Sequence, residues 1–176
     1  DATMAQAKAL LIEDDPTDRA LIAREFRLLE YISFDLAMAH TLTDGISFLA
    51  SDEFAVVLLD LSLPDAKGLD GLQTIIKRWP DMAVVVLTGL DDRATAIAAL
   101  KDGAQDYLVK GAFDSALLLR SIQYAIERSQ ISAELQHSEQ QYRALVAAMT
   151  SIVWSTSASG MIDGEQPGWS TYTGQS

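Results

Sequence analysis

The feature that most constrains the fold of this chain is a set of five short apolar runs, separated by stretches with helical spacing. Three runs consist almost entirely of Ala, Val, Leu and Ile, at residues 9–12, 55–59 and 83–87. Continuous runs of this length fit strands buried on both faces, hence a parallel sheet covered by helices. The other two runs are 32–38, where apolar residues alternate as in an edge strand, and 107–109.

Helical patterns follow each run. Pro16 stands where a first helical turn would begin, and Lys101 comes shortly before Gly103, as at the end of a helix. The other helical stretches are 44–50, 68–79, 91–101 and a long one from 114 onward. Strand and helix alternate five times, which predicts a doubly wound α/β domain with a five-stranded parallel sheet.

Composition excludes several classes of function. Lys and Arg total 13 against 25 Asp and Glu, a net charge of −12, which repels phosphate backbones and argues against direct nucleic-acid binding. Cysteine is absent, which excludes disulfides and thiol chemistry and suits a reducing compartment. No apolar run approaches the roughly 20 residues of a membrane span. We therefore expect a cytoplasmic protein without a membrane partner.

Polar side chains follow four of the five predicted strands. Glu13 and Asp14 follow the first, Asp60 the third, Thr88 the fourth and Lys110 the fifth. In doubly wound sheets, ligands bind beyond the carboxyl ends of the strands. The sequence therefore predicts that these side chains meet at one edge of the sheet.

This set of side chains suits phosphoryl chemistry. Clustered carboxylates repel one another unless a cation offsets them, and Mg²⁺ prefers oxygen ligands. A carboxylate beside such an ion can attack a phosphoryl group, while Thr88 could bond a phosphoryl oxygen and Lys110 could offset its charge. Asp15, just before Pro16, is interpreted as a helix cap rather than a ligand.

At these residues the sequence resembles the receiver domain of two-component response regulators, the CheY-like family. The matching segments are Leu-Leu-Ile-Glu-Asp-Asp-Pro at 10–16, Leu-Leu-Asp-Leu-Ser-Leu-Pro-Asp at 58–65 with Gly68, Val-Leu-Thr-Gly at 86–89, and Gly-Ala-Gln-Asp-Tyr-Leu-Val-Lys at 103–110. The resemblance covers residues 8–128 and implies a flavodoxin-like sheet of order 2-1-3-4-5. Residues 1–7 are interpreted as a disordered leader.

The resemblance also implies a role for each matching position. Asp60 would be the phosphoacceptor, and Glu13 and Asp14 would hold Mg²⁺, with Asp14 the more direct ligand. The remaining assignments are the Ser62 backbone carbonyl as a metal ligand, Thr88 as the switch hydroxyl, Lys110 as the charge partner and Tyr107 as the switch aromatic. One position departs from the family pattern, because Gly111 stands where the family usually has proline after the lysine.

The implied function is regulatory rather than enzymatic. A sensor histidine kinase or phosphotransfer protein would pass a phosphoryl group from its histidine to Asp60, and the change would bias a surface built from the fourth helix, fifth strand and fifth helix. Two alternatives stay open. One is a Mg²⁺-dependent phosphohydrolase with an aspartate nucleophile, and the other is a pseudo-receiver that acts only through contacts.

The fifth helical pattern extends beyond the receiver-like segment. Residues 129–149 continue it as a helical linker, and a heptad seam predicts a homodimeric coiled coil. The seam consists of Tyr124, Arg128, Ile131, Leu135, Ser138, Tyr142, Leu145 and Met149. The alternative is a single amphipathic helix resting on its own domain. His137 is interpreted as a solvated helix residue and His40 as a loop residue.

The last segment has a different composition. Residues 150–176 are rich in Ser, Thr and Gly but carry Trp154, Trp169 and Tyr172, which are unusual in a flexible linker. A predicted hairpin at 151–162 and the segment 166–176 together resemble the opening of a PAS sensor domain. We therefore expect a short β fragment here, from a longer signalling protein whose PAS-containing output the receiver controls.

Overall fold

The computed structural model describes residues 7–29 and 34–150, with side chains described up to residue 148. Its strands are β1 (Ala7–Ile12), β2 (Phe34–Ala39), β3 (Val56–Asp60), β4 (Ser62–Leu63), β5 (Ala66–Lys67), β6 (Val84–Thr88) and β7 (Asp106–Val109). Its helices are α1 (Pro16–Arg27), α2 (Leu42–Ser51), α3 (Asp70–Arg78), α4 (Arg93–Lys101) and α5 (Ser115–Thr150).

Five strands form one parallel sheet in the order β2-β1-β3-β6-β7. Counting only the strands of this sheet, β6 and β7 are the fourth and fifth, so the predicted order 2-1-3-4-5 is confirmed. The central strands β3 and β6 are buried along their whole length, whereas β2 is partly exposed, as expected for an edge strand.

Two apolar layers cover the sheet because successive side chains of each strand point to opposite faces. On one face, Leu10 and Ile12 belong to a buried cluster with residues of α2, α3 and α4. On the other face, Ala9 and Leu11 belong to a cluster with Ile22 of α1 and with residues of α5. Helices on both faces make the domain doubly wound, as predicted.

A small hairpin follows the central strand β3. The two-residue strands β4 and β5 pair antiparallel, and the turn between them carries Asp65. The Asp65 carboxylate accepts hydrogen bonds at 2.8 and 2.9 Å from the backbone N–H groups of Leu42 and Thr43, which begin α2. Burial acts to raise the pKa of Asp65, but these hydrogen bonds lower it below its ordinary value. The loop after β3 is thereby fixed to the start of α2.

The long C-terminal helix predicted from the sequence is present as α5. The chain divides into two compact units, Asp1–Ser132 and Ala133–Ser176, and α5 begins in the first and continues into the second. The domain boundaries expected at 128 and 149 stay predictions. The predicted leader, apart from Ala7 in β1, and the predicted β fragment at 150–176, apart from Thr150 at the end of α5, lie outside the described residues. Within the described ranges, no helix is both long and apolar enough to cross a bilayer.

Candidate functional site

The acidic pair stands directly after β1, at the carboxyl edge of the sheet. Glu13 is buried and its backbone N–H donates to the Ala39 carbonyl at 3.0 Å, while Asp14 is exposed. Asp15 then starts α1, because its carboxylate accepts hydrogen bonds from the backbone N–H groups of Thr17 and Asp18. Asp15 is therefore a helix cap, as predicted.

Asp60 is the last residue of β3 and joins the pair. Its backbone is paired with Leu87 of β6 in the sheet, and the residue is only 4% exposed. Carboxylate oxygens of Glu13, Asp14 and Asp60 lie within 4.8 Å of one another. Three acids from the carboxyl ends of β1 and β3 thus converge at one point, as expected for neighbouring parallel strands.

Lys110 brings a positive charge into this cluster from the end of β7. Its Nζ lies 2.7 Å from Glu13 Oε2, 3.0 Å from Asp60 Oδ1 and 3.2 Å from Asp18 Oδ2. Burial alone would lower the pKa of Lys110, but its hydrogen bonds to Glu13 and Asp60 outweigh burial and raise it. Burial raises the pKa of Glu13, against the opposing effects of Lys110 and the Asp15 N–H. The ammonium therefore stays charged and offsets part of the carboxylate repulsion.

Thr88 ends β6 beside this cluster. The residue is 3% exposed, and its Oγ1 has no hydrogen-bond partner within the described part of the chain. Its backbone carbonyl accepts the N–H of Lys110 at 2.8 Å, which fixes the two residues side by side. A buried hydroxyl without a partner costs about 1–3 kcal/mol, so this hydroxyl is a candidate donor for a ligand.

Within the described part of the chain, no contact assigns a role to two of the predicted site residues. Ser62 is exposed at the start of β4, and the ligand role of its backbone carbonyl stays a prediction. Tyr107 on β7 is partly buried and packs against the core cluster that contains Ile12. Its role as a switch aromatic also stays a prediction.

Gly111, the departure from the family pattern, has a φ of +75°. The proline ring holds φ near −65°, so proline could not adopt this backbone conformation. Ala112 N–H donates to the Val109 carbonyl at 3.0 Å and closes the turn. The backbone conformation of this loop thus favours glycine at position 111, and Lys110 still contacts Asp60.

Two further residues of α1 belong to the site and were not predicted. Asp18 supplies the third carboxylate on Lys110. Arg19 donates from Nη1 to the backbone carbonyls of Glu13 and Asp14 at 2.9 and 2.6 Å, so it holds the acidic loop by its main chain. The available signal was Pro16, which fixes the start of α1 and so places both residues near the carboxyl edge.

The donor set fits a hard divalent cation. Mg²⁺ takes one or two protein carboxylates together with water and phosphate oxygens. Glu13, Asp14 and Asp60 supply three carboxylates within 4.8 Å, and the exposure of Asp14 leaves an approach from solvent. These three residues could therefore hold Mg²⁺ beside the Asp60 carboxylate.

Comparison with known proteins agrees with this geometry. A family model described as the response regulator receiver domain matches residues 9–123, which is more than half of the chain. The chain belongs to this family. A receiver domain is a regulatory module of two-component signal transduction rather than an enzyme, so this part of the prediction is confirmed.

The receiver domain is similar to part of several regulatory proteins. It is 41% identical over 104 residues to the photosynthetic apparatus regulatory protein RegA of Rhodovulum sulfidophilum, covering 59% of this chain and 56% of that protein. It is 38% identical over 121 residues to the acid tolerance regulatory protein ActR of Rhizobium meliloti, covering 69% of this chain and 61% of that protein. The chain therefore spans less than two thirds of the length of these relatives.

Solved structures carry the same receiver fold. A response regulator receiver domain protein from Clostridium thermocellum aligns with a TM-score of 0.62 at 33% identity, covering 71% of this chain and 98% of that one. The receiver domain of NtrX from Brucella abortus aligns with a TM-score of 0.61 at 24% identity, covering 68% of this chain and 98% of that one. The second likeness concerns the fold alone.

Proposed function

We propose that this receiver accepts a phosphoryl group on Asp60 from the phosphohistidine of a partner sensor histidine kinase or phosphotransfer protein. The observation that carries the proposal is the contact between Asp60 and Lys110 inside the cluster of three acids, with Nζ 3.0 Å from Oδ1. A nucleophilic carboxylate, a cation-binding acid pair and a fixed positive charge are the groups that phosphoryl transfer to an aspartate requires.

The transfer exchanges one bond for another. A carboxylate oxygen of Asp60 forms a bond to phosphorus, while the bond between phosphorus and the partner's histidine nitrogen breaks and its electron pair returns to that nitrogen. Lys110 already contacts Asp60 and would offset the charge of the new group, and the Thr88 hydroxyl would donate to a phosphoryl oxygen.

Mg²⁺ would be held by Glu13, Asp14 and Asp60, together with the Ser62 carbonyl that the family resemblance implies. When bound, it would neutralise charge on the phosphoryl oxygens during transfer. The backbone also fixes the acceptor and its neighbour, because Asp60 is paired in β3 and the Glu13 N–H is bonded to the Ala39 carbonyl.

We further propose that phosphorylation changes the surface of α4, β7 and α5 through Thr88 and Tyr107, and that α5 passes this change to an output containing a PAS domain. The support is positional, because Thr88 and Tyr107 lie on neighbouring strands and α5 continues from the receiver into the next unit. The cytoplasmic location expected from the sequence stays a prediction. The phosphohydrolase alternative is disfavoured by family membership, and the pseudo-receiver alternative by the complete set of site residues.

Chemical phosphorylation tests the proposed acceptor role. The protein is incubated with phosphoramidate and Mg²⁺, and its intact mass is compared with a sample that contains EDTA. We expect one added phosphoryl group that depends on Mg²⁺ and is removed by hydroxylamine, as an acyl phosphate is. Peptide mapping after borohydride reduction should place it on Asp60. A modification mapped to another residue would contradict the proposal.

We also propose that the C-terminal helix pairs with a second copy of the chain. Ile131, Leu135, Tyr142 and Leu145 are each more than half exposed along α5 and follow the predicted seam. Arg128, on the same seam, is engaged with Tyr124, to whose hydroxyl it donates at 3.0 Å. Exposed apolar side chains at this spacing are buried when two such helices pair.

Sedimentation of the full chain tests the pairing. We expect a dimeric mass at micromolar concentration and a monomeric mass for Leu135→Glu, because a buried glutamate on the seam must be desolvated. Gln136→Glu adds the same charge beside the seam and is expected to stay dimeric. A monomeric wild-type protein would contradict the proposal.

A further inference from the structure

We propose that Asp18 competes with the phosphoryl group of Asp60 for the ammonium of Lys110, and so sets how readily this receiver takes and keeps that group. The inference rests on the proposed function of Asp60 as acceptor. It starts from an ion pair that the phosphoryl chemistry does not require, in which Asp18 Oδ2 lies 3.2 Å from Lys110 Nζ.

The ammonium of Lys110 has no spare donor in this arrangement. A lysine ammonium carries three N–H groups. Three carboxylates lie within 3.2 Å of Nζ, and they belong to Glu13, Asp18 and Asp60. A phosphoryl oxygen that approaches Lys110 must therefore take the place of one of them.

Asp18 is the carboxylate that is displaced most readily. Its side chain is 31% exposed, whereas those of Glu13 and Asp60 are 0% and 3% exposed. Its contact with Nζ is also the longest of the three. Water can replace Lys110 around the Asp18 carboxylate, but it cannot reach the buried Glu13 carboxylate. The free-energy cost of losing the contact with Lys110 is therefore smaller for Asp18 than for Glu13.

The position of Asp18 is set by its helix rather than by Lys110. It lies in the first turn of α1, and its backbone N–H donates to the Asp15 carboxylate at 3.0 Å. Two other cations of α1 are engaged elsewhere, because Arg19 donates to the backbone carbonyls of Glu13 and Asp14 and Arg24 is paired with Glu25 at 2.8 Å. Among the described residues, Lys110 is thus the cation with which Asp18 forms an ion pair, and the Asp18 charge remains beside the site after displacement.

The competition has a definite sign. Phosphorylation adds negative charge beside Asp60, and a fixed carboxylate near Lys110 opposes that charge. Removing the Asp18 charge should strengthen binding of an anionic group at Asp60. It should not strengthen binding of Mg²⁺, because a cation is attracted by the same carboxylate. A substitution that acted only by destabilising the fold would weaken binding of both the anionic group and Mg²⁺.

Fluorine NMR titration of the full chain with beryllofluoride, which stands in for the phosphoryl group on an aspartate, tests the inference. At saturating Mg²⁺, Asp18→Asn should lower the Kd for beryllofluoride about threefold to fivefold, the upper part of the range of couplings between exposed charges. Asp18→Glu retains the charge and should bind like the wild type. The matched control is Asp44→Asn, which removes an exposed charge from the first turn of α2.

Each outcome of this titration bears on the inference. A lower Kd in Asp18→Asn alone, with Mg²⁺ affinity by calorimetry not increased, supports it. An unchanged or higher Kd in Asp18→Asn overturns it, as does an equal decrease in Asp44→Asn, which would indicate a general charge effect. Failure of the wild type to bind beryllofluoride with Mg²⁺ would overturn the proposed acceptor role of Asp60, and the inference with it.

Discussion

Replacing Asp60 with asparagine is expected to abolish labelling of this chain by phosphoramidate or by a phosphorylated partner kinase. The amide has no ionised oxygen with which to attack phosphorus, and Asp60 is the carboxylate that lies beside Lys110 at the end of β3. Labelling is measured as the fraction of protein that carries one phosphoryl group in intact mass spectra. We expect that fraction to fall to the background of the EDTA sample.

The matched control for this prediction is Asp81→Asn. Asp81 is exposed just before β6, at the opposite edge of the sheet from the site, and its backbone carbonyl rather than its side chain accepts a hydrogen bond from Ser129. This variant should be labelled like the wild type. Asp60→Asn should remain folded, because Lys110 keeps its ion pairs with Glu13 and Asp18. Undiminished labelling of a folded Asp60→Asn protein would refute the assignment.

Removing the charge of Lys110 is expected to destabilise the fold more than the loss of a surface lysine does. Lys110→Met keeps the apolar stem but leaves the buried carboxylates of Glu13 and Asp60 without their cation. Breaking a buried ion pair from one side costs about 3 kcal/mol or more. Because burial already raises the pKa of Glu13, this residue can take up a proton in the variant, which limits the loss in the free energy of unfolding. Urea titrations in EDTA measure the difference in the free energy of unfolding between this variant and the wild type.

Lys77→Met is the control for this second prediction. Lys77 is exposed in the last turn of α3, so its replacement should change the free energy of unfolding by no more than about 0.5 kcal/mol. Equal losses in the two variants would mean that Lys110 does not offset the carboxylate cluster. In the presence of Mg²⁺, the difference in unfolding free energy between Lys110→Met and the wild type should become smaller, because a divalent cation can replace the missing positive charge.

The acid cluster and its lysine were predictable from the sequence because of how a parallel sheet is built. The runs that end at Ile12 and Leu59 are apolar enough to mark buried strands, and Lys110 follows a shorter apolar run. The carboxyl ends of parallel strands share an edge. The side chains that follow them must then meet. The order of the strands depended in addition on the resemblance to the receiver family.

Local backbone conformations were less predictable. Helix α3 begins at Asp70 rather than at Gly68, because Gly68 has a φ of +56°, which no residue of a right-handed helix adopts. The hairpin of β4 and β5 has only two residues in each strand, too few to form a periodic pattern. Asp65 bonds to residues more than 20 positions earlier in the chain, and no spacing rule contains that contact.

The contribution of Asp18 could not be predicted for a different reason. Its contact with Lys110 depends on how α1 is rotated about its axis relative to the end of β7. Packing of Ile22 and Phe26 against the sheet sets that rotation, and packing is a property of the whole domain. A first-turn aspartate is ordinarily explained by the helix dipole alone. The ion pair with Lys110 is visible only in the folded structure.

The hydrogen bond between the Lys110 N–H and the Thr88 carbonyl restricts how this edge of the sheet can rearrange. It is the last rung of the ladder between β6 and β7, so the main chains of the two residues form a fixed frame. What remains adjustable there is torsion within the side chains, above all rotation of the Thr88 hydroxyl about χ1. Under the proposed function, a signal that begins at Asp60 would therefore start as rotation of the Thr88 side chain, while the backbones of β6 and β7 stay joined at this hydrogen bond.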